Sequence, residues 1–241
     1  MDKLSARINS LPISATLEMA AKARELKNKG IDIIGLSLGE PDFNTPEFIK
    51  DAAVQAVQDN WNSYSPVDGY ADLKTAICNK FKRDNNLDYN PTQIVVSTGA
   101  KQSIANICMV LLNPGDEVLL PAPYWVSYSA IATLAEAKSK IIPSSIETDF
   151  KITPEQLEAA ITPKTKLVMF NSPNNPSGTI YSEKEYRSLG KVLEKFPDVF
   201  ILSDEIYEHI NYGTPHFSIA SIPELYDRTI TVNGVAKAFA M

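Results

Sequence analysis

At 241 residues the chain is long enough to bury a sizeable core, as one large domain or one and a half. Its 44% hydrophobic and 22% charged residues are ordinary for a soluble globular protein, and a formal charge of -6 argues against a nucleic-acid partner, which requires basic patches. The two cysteines, Cys78 and Cys108, each lie in an amphipathic stretch and read as core thiols; with only two histidines beside them, no zinc site is expected.

The N-terminal run Met1 to Arg7 has no apolar core of a signal peptide, and no apolar run reaches membrane-spanning length. A cytoplasmic protein without a membrane partner is expected. Residues 1–45 differ from the rest: a helical stretch (Leu17 to Lys29) leads to Ile33 to Leu38 and then Gly39-Glu40-Pro41-Asp42-Phe43. From residue 46 onward, short β-rich runs alternate with helical patterns. The expected strands are Ile94 to Thr98, Glu117 to Pro121, Lys138 to Ile142, Lys166 to Phe170, Val199 to Ser203 and Thr229 to Asn233. Between them, Lys101 to Leu112 reads as a helix stopped by Asn113-Pro114-Gly115. Glu183 to Phe196 reads as another, opened by Ser182 as N-cap and halted before Pro197. Alternation of this kind implies an α/β fold with a mostly parallel sheet and helices on both faces. The chain ends at Met241 inside an apolar stretch, and truncation is the expectation.

The run Lys166 to Phe170 passes directly into Asn171-Ser172-Pro173-Asn174-Asn175-Pro176-Ser177-Gly178. Amides offer fixed donors and acceptors, and each proline removes backbone freedom, so this is a rigid polar loop at a strand end. Open α/β sheets bind small molecules at such ends. The loop resembles the signature loop of fold-type I aminotransferases, which use pyridoxal 5'-phosphate (PLP). That cofactor needs an amine for its aldehyde, a carboxylate for its pyridine nitrogen, donors for its phosphate and an aromatic ring over its face.

Candidates exist for each. Lys237 is a lone charge in Val235-Ala236-Lys237-Ala238-Phe239-Ala240, where desolvation would favour the neutral amine; a surface lysine is the plain alternative. Asp204 follows the apolar run Val199 to Ser203, and Tyr207 lies three residues on; a helix N-cap would also explain the aspartate. Gly99-Ala100-Lys101 stands where an extended run meets a helix start, whose backbone N–H groups suit a phosphate. Trp125, in Pro123-Tyr124-Trp125, could stack on a flat heterocycle or simply fill the core.

Together these residues resemble class I aminotransferases, most closely the bacterial-type aspartate aminotransferases. The resemblance runs from Ser14-Ala15-Thr16 and Gly39 to Phe43, through Ser203-Asp204-Glu205-Ile206-Tyr207, to Asn233 to Met241. It implies the large domain of a fold-type I PLP enzyme over residues 46–241, preceded by an N-terminal arm and small-domain segment over 1–45, with the C-terminal small domain absent. It also implies that Lys237 is the Schiff-base lysine and proton shuttle, that Asp204 pairs with the pyridine nitrogen, and that Asn175 and Tyr207 bond the 3-oxygen. By the same resemblance Trp125 stacks on the ring, Gly99, Ala100 and Lys101 form the phosphate-side loop, and Tyr64 reaches the phosphate of a neighbouring subunit in a homodimer. Gly39, Lys101, Trp125 and Asn175 would meet substrate, with Lys101 facing the distal carboxylate of a dicarboxylic amino acid.

The implied reaction moves an amino group from aspartate to 2-oxoglutarate. Prephenate or aromatic aminotransfer, carbon–sulfur lysis, and a cofactor-binding fragment without turnover are the alternatives. Two departures stand out. Gly234 occupies a position where many relatives carry serine, and the two arginines that the family places after the lysine do not occur here. Cis peptides are implied at Ala122-Pro123 and Asn175-Pro176.

Overall fold

The computed structural model describes residues 3–13, 15–36, 38–213 and 215–241, with the backbone alone at residue 15. Ser14 of the expected N-terminal match and Ser37 of the 33–38 run lie outside the described residues. Five strands form one sheet: β1 (Glu117–Pro121), β2 (Lys138–Ile142), β3 (Thr165–Asn171), β4 (Phe200–Asp204) and β5 (Thr229–Val232). They lie side by side in the order β2-β1-β3-β4-β5, and every neighbouring pair is parallel. The helices are α1 (Ala6–Asn9), α2 (Ala15–Asn28), α3 (Glu47–Gln58), α4 (Ala71–Asn85), α5 (Ala100–Leu111), α6 (Ser127–Leu134), α7 (Pro154–Ala160) and α8 (Glu183–Leu193).

Strand periodicity explains how both faces of the sheet are covered. Along β3, Val168 and Phe170 point to one face, while Leu167 and Met169 point to the other. The first face joins Leu119 and Ile201 to Leu157 of α7 and to Tyr186, Leu189 and Leu193 of α8. The second joins Val118, Leu120 and Leu202 to Ile104 and Cys108 of α5 and to Tyr128, Ile131 and Ala132 of α6. A strand buried on both sides is expected to be apolar, as β3 is from Leu167 to Phe170. Each fully buried aliphatic side chain contributes roughly 1.5–3 kcal/mol. Cys78 and Cys108 are buried free thiols, as their setting implied.

Helix α8 begins where Ser182 caps it. The Ser182 hydroxyl accepts from the Glu185 N–H (3.3 Å), and the Glu185 carboxylate accepts from the Ser182 N–H (2.7 Å). It ends at Leu193 rather than Phe196, and beyond that end the Arg228 guanidinium donates to the carbonyls of Leu193, Phe196 and Val199 at 2.8–2.9 Å.

The expected strand Ile94 to Thr98 does not form. Ile94 is extended, but the sheet among the described residues ends at β5, and the backbone bonds of this segment go to turns and to the Asp68 carbonyl, which accepts from the Val96 N–H at 3.1 Å. Ile94 is buried against Phe81 and Leu87, whereas Val95 stays exposed. Strand-forming residues without a partner ladder make no strand.

The sheet order sets where a ligand site can lie. The chain goes outward from β1 to β2, then returns across β1 to β3 and continues outward through β4 and β5. A crevice therefore opens between the carboxyl ends of β1 and β3. Residues 121–125 rim it on one side and the Asn171 to Gly178 loop on the other. The amide of Asn174 donates to the Pro123 carbonyl at 3.2 Å and ties the two together. Peptide bonds are cis at Ala122-Pro123 and Asn175-Pro176, as the resemblance implied, and also at Ser172-Pro173.

Candidate functional site

One open cleft over these strand ends is lined by Gly39, Gly99, Ala100, Lys101, Trp125, Asn175, Asp204, Tyr207 and Lys237. Of the site residues expected from sequence, Tyr64 alone is elsewhere, fully exposed between α3 and α4.

Asp204 closes β4. It lies two residues beyond Leu202, so its side chain projects to the same face, toward α6. There Tyr128 donates its hydroxyl to Asp204 Oδ2 at 2.6 Å, and the Ile206 N–H donates to Oδ1 at 3.2 Å. No α-helix follows, so the N-cap alternative fails and the Oδ1 contact belongs to a tight turn. Burial pushes the Asp204 carboxyl up to about 6, against the pull of the Tyr128 and Ile206 bonds.

The polar loop after β3 is held from within. Asn171 donates its amide to the Asp204 carbonyl at 2.9 Å, and its own oxygen accepts from the Asn175 N–H at 2.7 Å. Asn175 Nδ2 in turn reaches the Tyr207 hydroxyl at 3.5 Å. Burial raises the Tyr207 hydroxyl above its usual range despite that bond. Asn175 and Tyr207 thus present an amide and a phenol to the same point of the cleft.

Trp125 is half-buried, packs against the α5–α6 side of the core and also lines the cleft. The Lys101 ammonium sits 4.8 Å from its ring centroid. Gly99 precedes α5 with φ +82, a conformation that side chains resist, and the helix has no side-chain N-cap. Its first N–H groups are therefore open to an anion.

Lys237 is less enclosed than its apolar neighbours suggested, because Val235 is exposed and the lysine half-exposed. Its amine donates to the Gly39 carbonyl at 2.9 Å and lies 5.9 Å from the Tyr207 ring centroid. A second tie, Thr45 Oγ1 to the Ala240 carbonyl at 2.5 Å, holds the N-terminal segment near the lysine. At Gly234 a Cβ would stand 3.0 Å from Ile206 Cδ1, so a serine there would have to push that methyl aside.

Sequence reasoning missed three residues: Tyr128, Asn171 as the brace of its loop, and Glu205. Glu205 projects to the face opposite Asp204 and is 1% exposed. It accepts from the Ser203 and Ser218 hydroxyls and lies 3.0 Å from His216 Nε2. Glu205, Glu208 and His216 come close enough to share an ion, but the Lys80 ammonium and the Asn85 amide already engage Glu208. These contacts hold the Glu208 carboxyl below its usual range even though burial raises it. The signal that could have flagged Tyr128 is its place three residues after Trp125, one turn along a helix start.

The model of the aminotransferase class I and II family matches residues 31–241. The chain belongs to that family. The aspartate/prephenate aminotransferase of Nitrosomonas europaea is 50% identical over 99% of this chain. A crystal structure of the aspartate aminotransferase from Rhizobium meliloti superposes with a TM-score of 0.97, at 46% identity over 100% of this chain. The Thermus thermophilus aspartate aminotransferase with maleate gives a TM-score of 0.95 at 41% identity, again over 100% of this chain. This chain spans 61–62% of the length of these three proteins.

Members of this family use pyridoxal 5'-phosphate, and the aminotransferase cleft fits that group. Asp204 offers a buried carboxylate at its floor, Asn175 and Tyr207 a matched donor pair, Trp125 a flat face, Lys237 an amine and Gly99 an uncapped helix start. Among the described residues, no helix is long and apolar enough to cross a membrane.

Proposed function

We propose that the protein transfers an amino group from aspartate, or another dicarboxylic amino acid, to 2-oxoglutarate with pyridoxal 5'-phosphate. The observation that supports it is the arrival of Lys237, Asp204, Tyr207, Asn175 and Trp125 from separate segments at one cleft. When bound, the cofactor supplies an aldehyde to receive the amino group and a ring that draws electron density from the substrate α-carbon. Asp204 would stand as counter-charge to the ring nitrogen, Asn175 and Tyr207 would hold its 3-oxygen, Trp125 its face, and the turn at Gly99, Ala100 and Lys101 its phosphate. Lys237 Nζ would take up and return the proton of the substrate α-carbon, which requires the neutral amine.

We place the division between the N-terminal arm and the cofactor-binding domain at residue 45. What supports this is that no described side chain of residues 3–36 is buried and that the Lys237 and Ala240 contacts to Gly39 and Thr45 join this segment to the end of the chain rather than to the sheet. A cytoplasmic homodimer in which Tyr64 serves the neighbouring site belongs to the same reading. The name of the Nitrosomonas europaea relative favours prephenate as a second amino acceptor.

Adding PLP should produce a visible absorbance band, and borohydride reduction should leave the cofactor's mass on Lys237. L-Aspartate should then bleach the unreduced band. Lys237→Ala should abolish both covalent attachment and bleaching. A band that survives this substitution would remove Lys237 from its role, and one indifferent to aspartate would leave cofactor binding without transfer.

Lys101 is the candidate for side-chain selectivity, since its ammonium sits at the cleft beside Trp125. Losing one charge-assisted bond should cost Lys101→Ala roughly tenfold in the kcat/KM ratio of aspartate over alanine. An unchanged ratio would exclude the lysine from recognition.

A further inference from the structure

We infer that Tyr128 is a positioning residue of the cofactor site, whose hydroxyl fixes the Asp204 carboxylate while its ring fixes the Trp125 indole. The inference rests on the proposed pyridoxal phosphate reading of the cleft. Tyr128 is 1% exposed and stands in the first turn of α6. Its hydroxyl lies 2.6 Å from Asp204 Oδ2, and its ring meets Trp125 edge-to-face at 5.6 Å and 87°. No other residue touches both groups in these ways among the described hydrogen bonds and ring pairs.

The two contacts do different things. Asp204 has one donor on each oxygen, Tyr128 on Oδ2 and the Ile206 N–H on Oδ1, so its plane is set about the last torsion. Without the hydroxyl, that carboxylate keeps one donor and can turn. The edge-to-face contact sets the tilt of the indole. A phenylalanine would preserve this second contact and remove only the first.

The hydroxyl also acts on charge. The titratable groups around Asp204 are Tyr128 from α6, Glu205 and Tyr207 from its own turn, and Lys237 across the cleft. Glu205 is itself engaged by His216 from the 216–218 segment. Burial raises the Asp204 carboxyl, Glu205 adds to this, and the Tyr128 bond opposes both. Removing the hydroxyl therefore raises it further, and a neutral carboxyl is a poor counter-charge for a protonated pyridine.

The test compares wild type, Tyr128→Phe and Lys237→Ala by PLP titration, following the cofactor's absorbance, at a series of pH values. Tyr128→Phe should weaken PLP binding roughly tenfold, the loss expected of one hydrogen bond to a charged acceptor. Its binding should also begin to fail at a higher pH than in wild type as the solution is acidified. Urea unfolding of the cofactor-free protein serves as control, because a merely structural tyrosine would move that midpoint and not the pH profile. Equal affinity and an unchanged pH profile in Tyr128→Phe would overturn the inference. Absence of Lys237-dependent binding in wild type would instead overturn the cofactor reading beneath it.

Discussion

Glu205→Ala is expected to destabilise the protein by about 3–5 kcal/mol, the cost typical of removing one partner from a buried, hydrogen-bonded charge cluster. Oε1 of Glu205 accepts from Ser203 Oγ at 2.8 Å and Ser218 Oγ at 2.6 Å. Oε2 lies 3.0 Å from His216 Nε2 and 3.4 Å from Asn85 Nδ2. Alanine would leave donors from β4, α4 and the 216–218 segment facing a dry cavity. Each unsatisfied group costs roughly 1–3 kcal/mol, and partial collapse keeps the total below their sum. The measurement is the urea midpoint at constant m-value. A loss below about 1 kcal/mol would mean that water replaces the carboxylate at no great cost, and that Glu205 is not the anchor of this turn. Glu205→Gln, which keeps one acceptor oxygen, should fall between the two.

Asp204→Asn should do the opposite to stability while removing the counter-charge from the cleft. An unfolded aspartate ionises near 3.8, whereas burial pushes Asp204 up to about 6. As pH rises through that window the unfolded chain loses its proton first, so stability falls. The contribution is complete below the unfolded value and lost above the folded one. At about 1.4 kcal/mol per pKa unit, the carboxylate costs the cofactor-free fold about 3 kcal/mol at neutral pH. Asparagine fits the same space: its oxygen can accept from the Ile206 N–H and its amide can donate to the Tyr128 hydroxyl. The variant should unfold at higher urea than wild type near pH 7, with much less dependence on pH between roughly 4 and 7, and should bind PLP more weakly. Equal stability across that range would show that Asp204 is not held at an energetic disadvantage.

Both predictions concern neighbours in sequence on opposite faces of one strand end, and this separates what was legible from what was not. β1 and β2 appear with the bounds expected from sequence, because each carries a short apolar run (Val118 to Leu120, Ile141 to Ile142) next to turn residues, Asn113-Pro114-Gly115 before β1 and Pro143-Ser144-Ser145 after β2. The Asn171 to Gly178 loop, Asp204 and Gly99 were legible as candidates for a related reason. A parallel sheet buried on both faces leaves its strand ends as the place for polar chemistry, so a polar residue closing an apolar run marks itself. Ile94 to Thr98 was misread because β-propensity describes a residue and not its partner, and no neighbouring strand pairs with it here.

The sequence alone determined the alternation of elements, the parallel sheet and the side chains offered at its carboxyl edge. Those follow from periodicity and turn chemistry, which are local. Only the tertiary structure decided which of them meet. The Tyr128 bond to Asp204 spans 76 residues, the Asn85 bond to Glu205 spans 120 and the Lys237 bond to Gly39 spans 198. Such contacts depend on strand order and on which face of β4 each helix covers, information that no local window carries. Burial likewise had to be seen in three dimensions: it raises Asp204, and it makes Glu205 an anchor rather than a solvated charge.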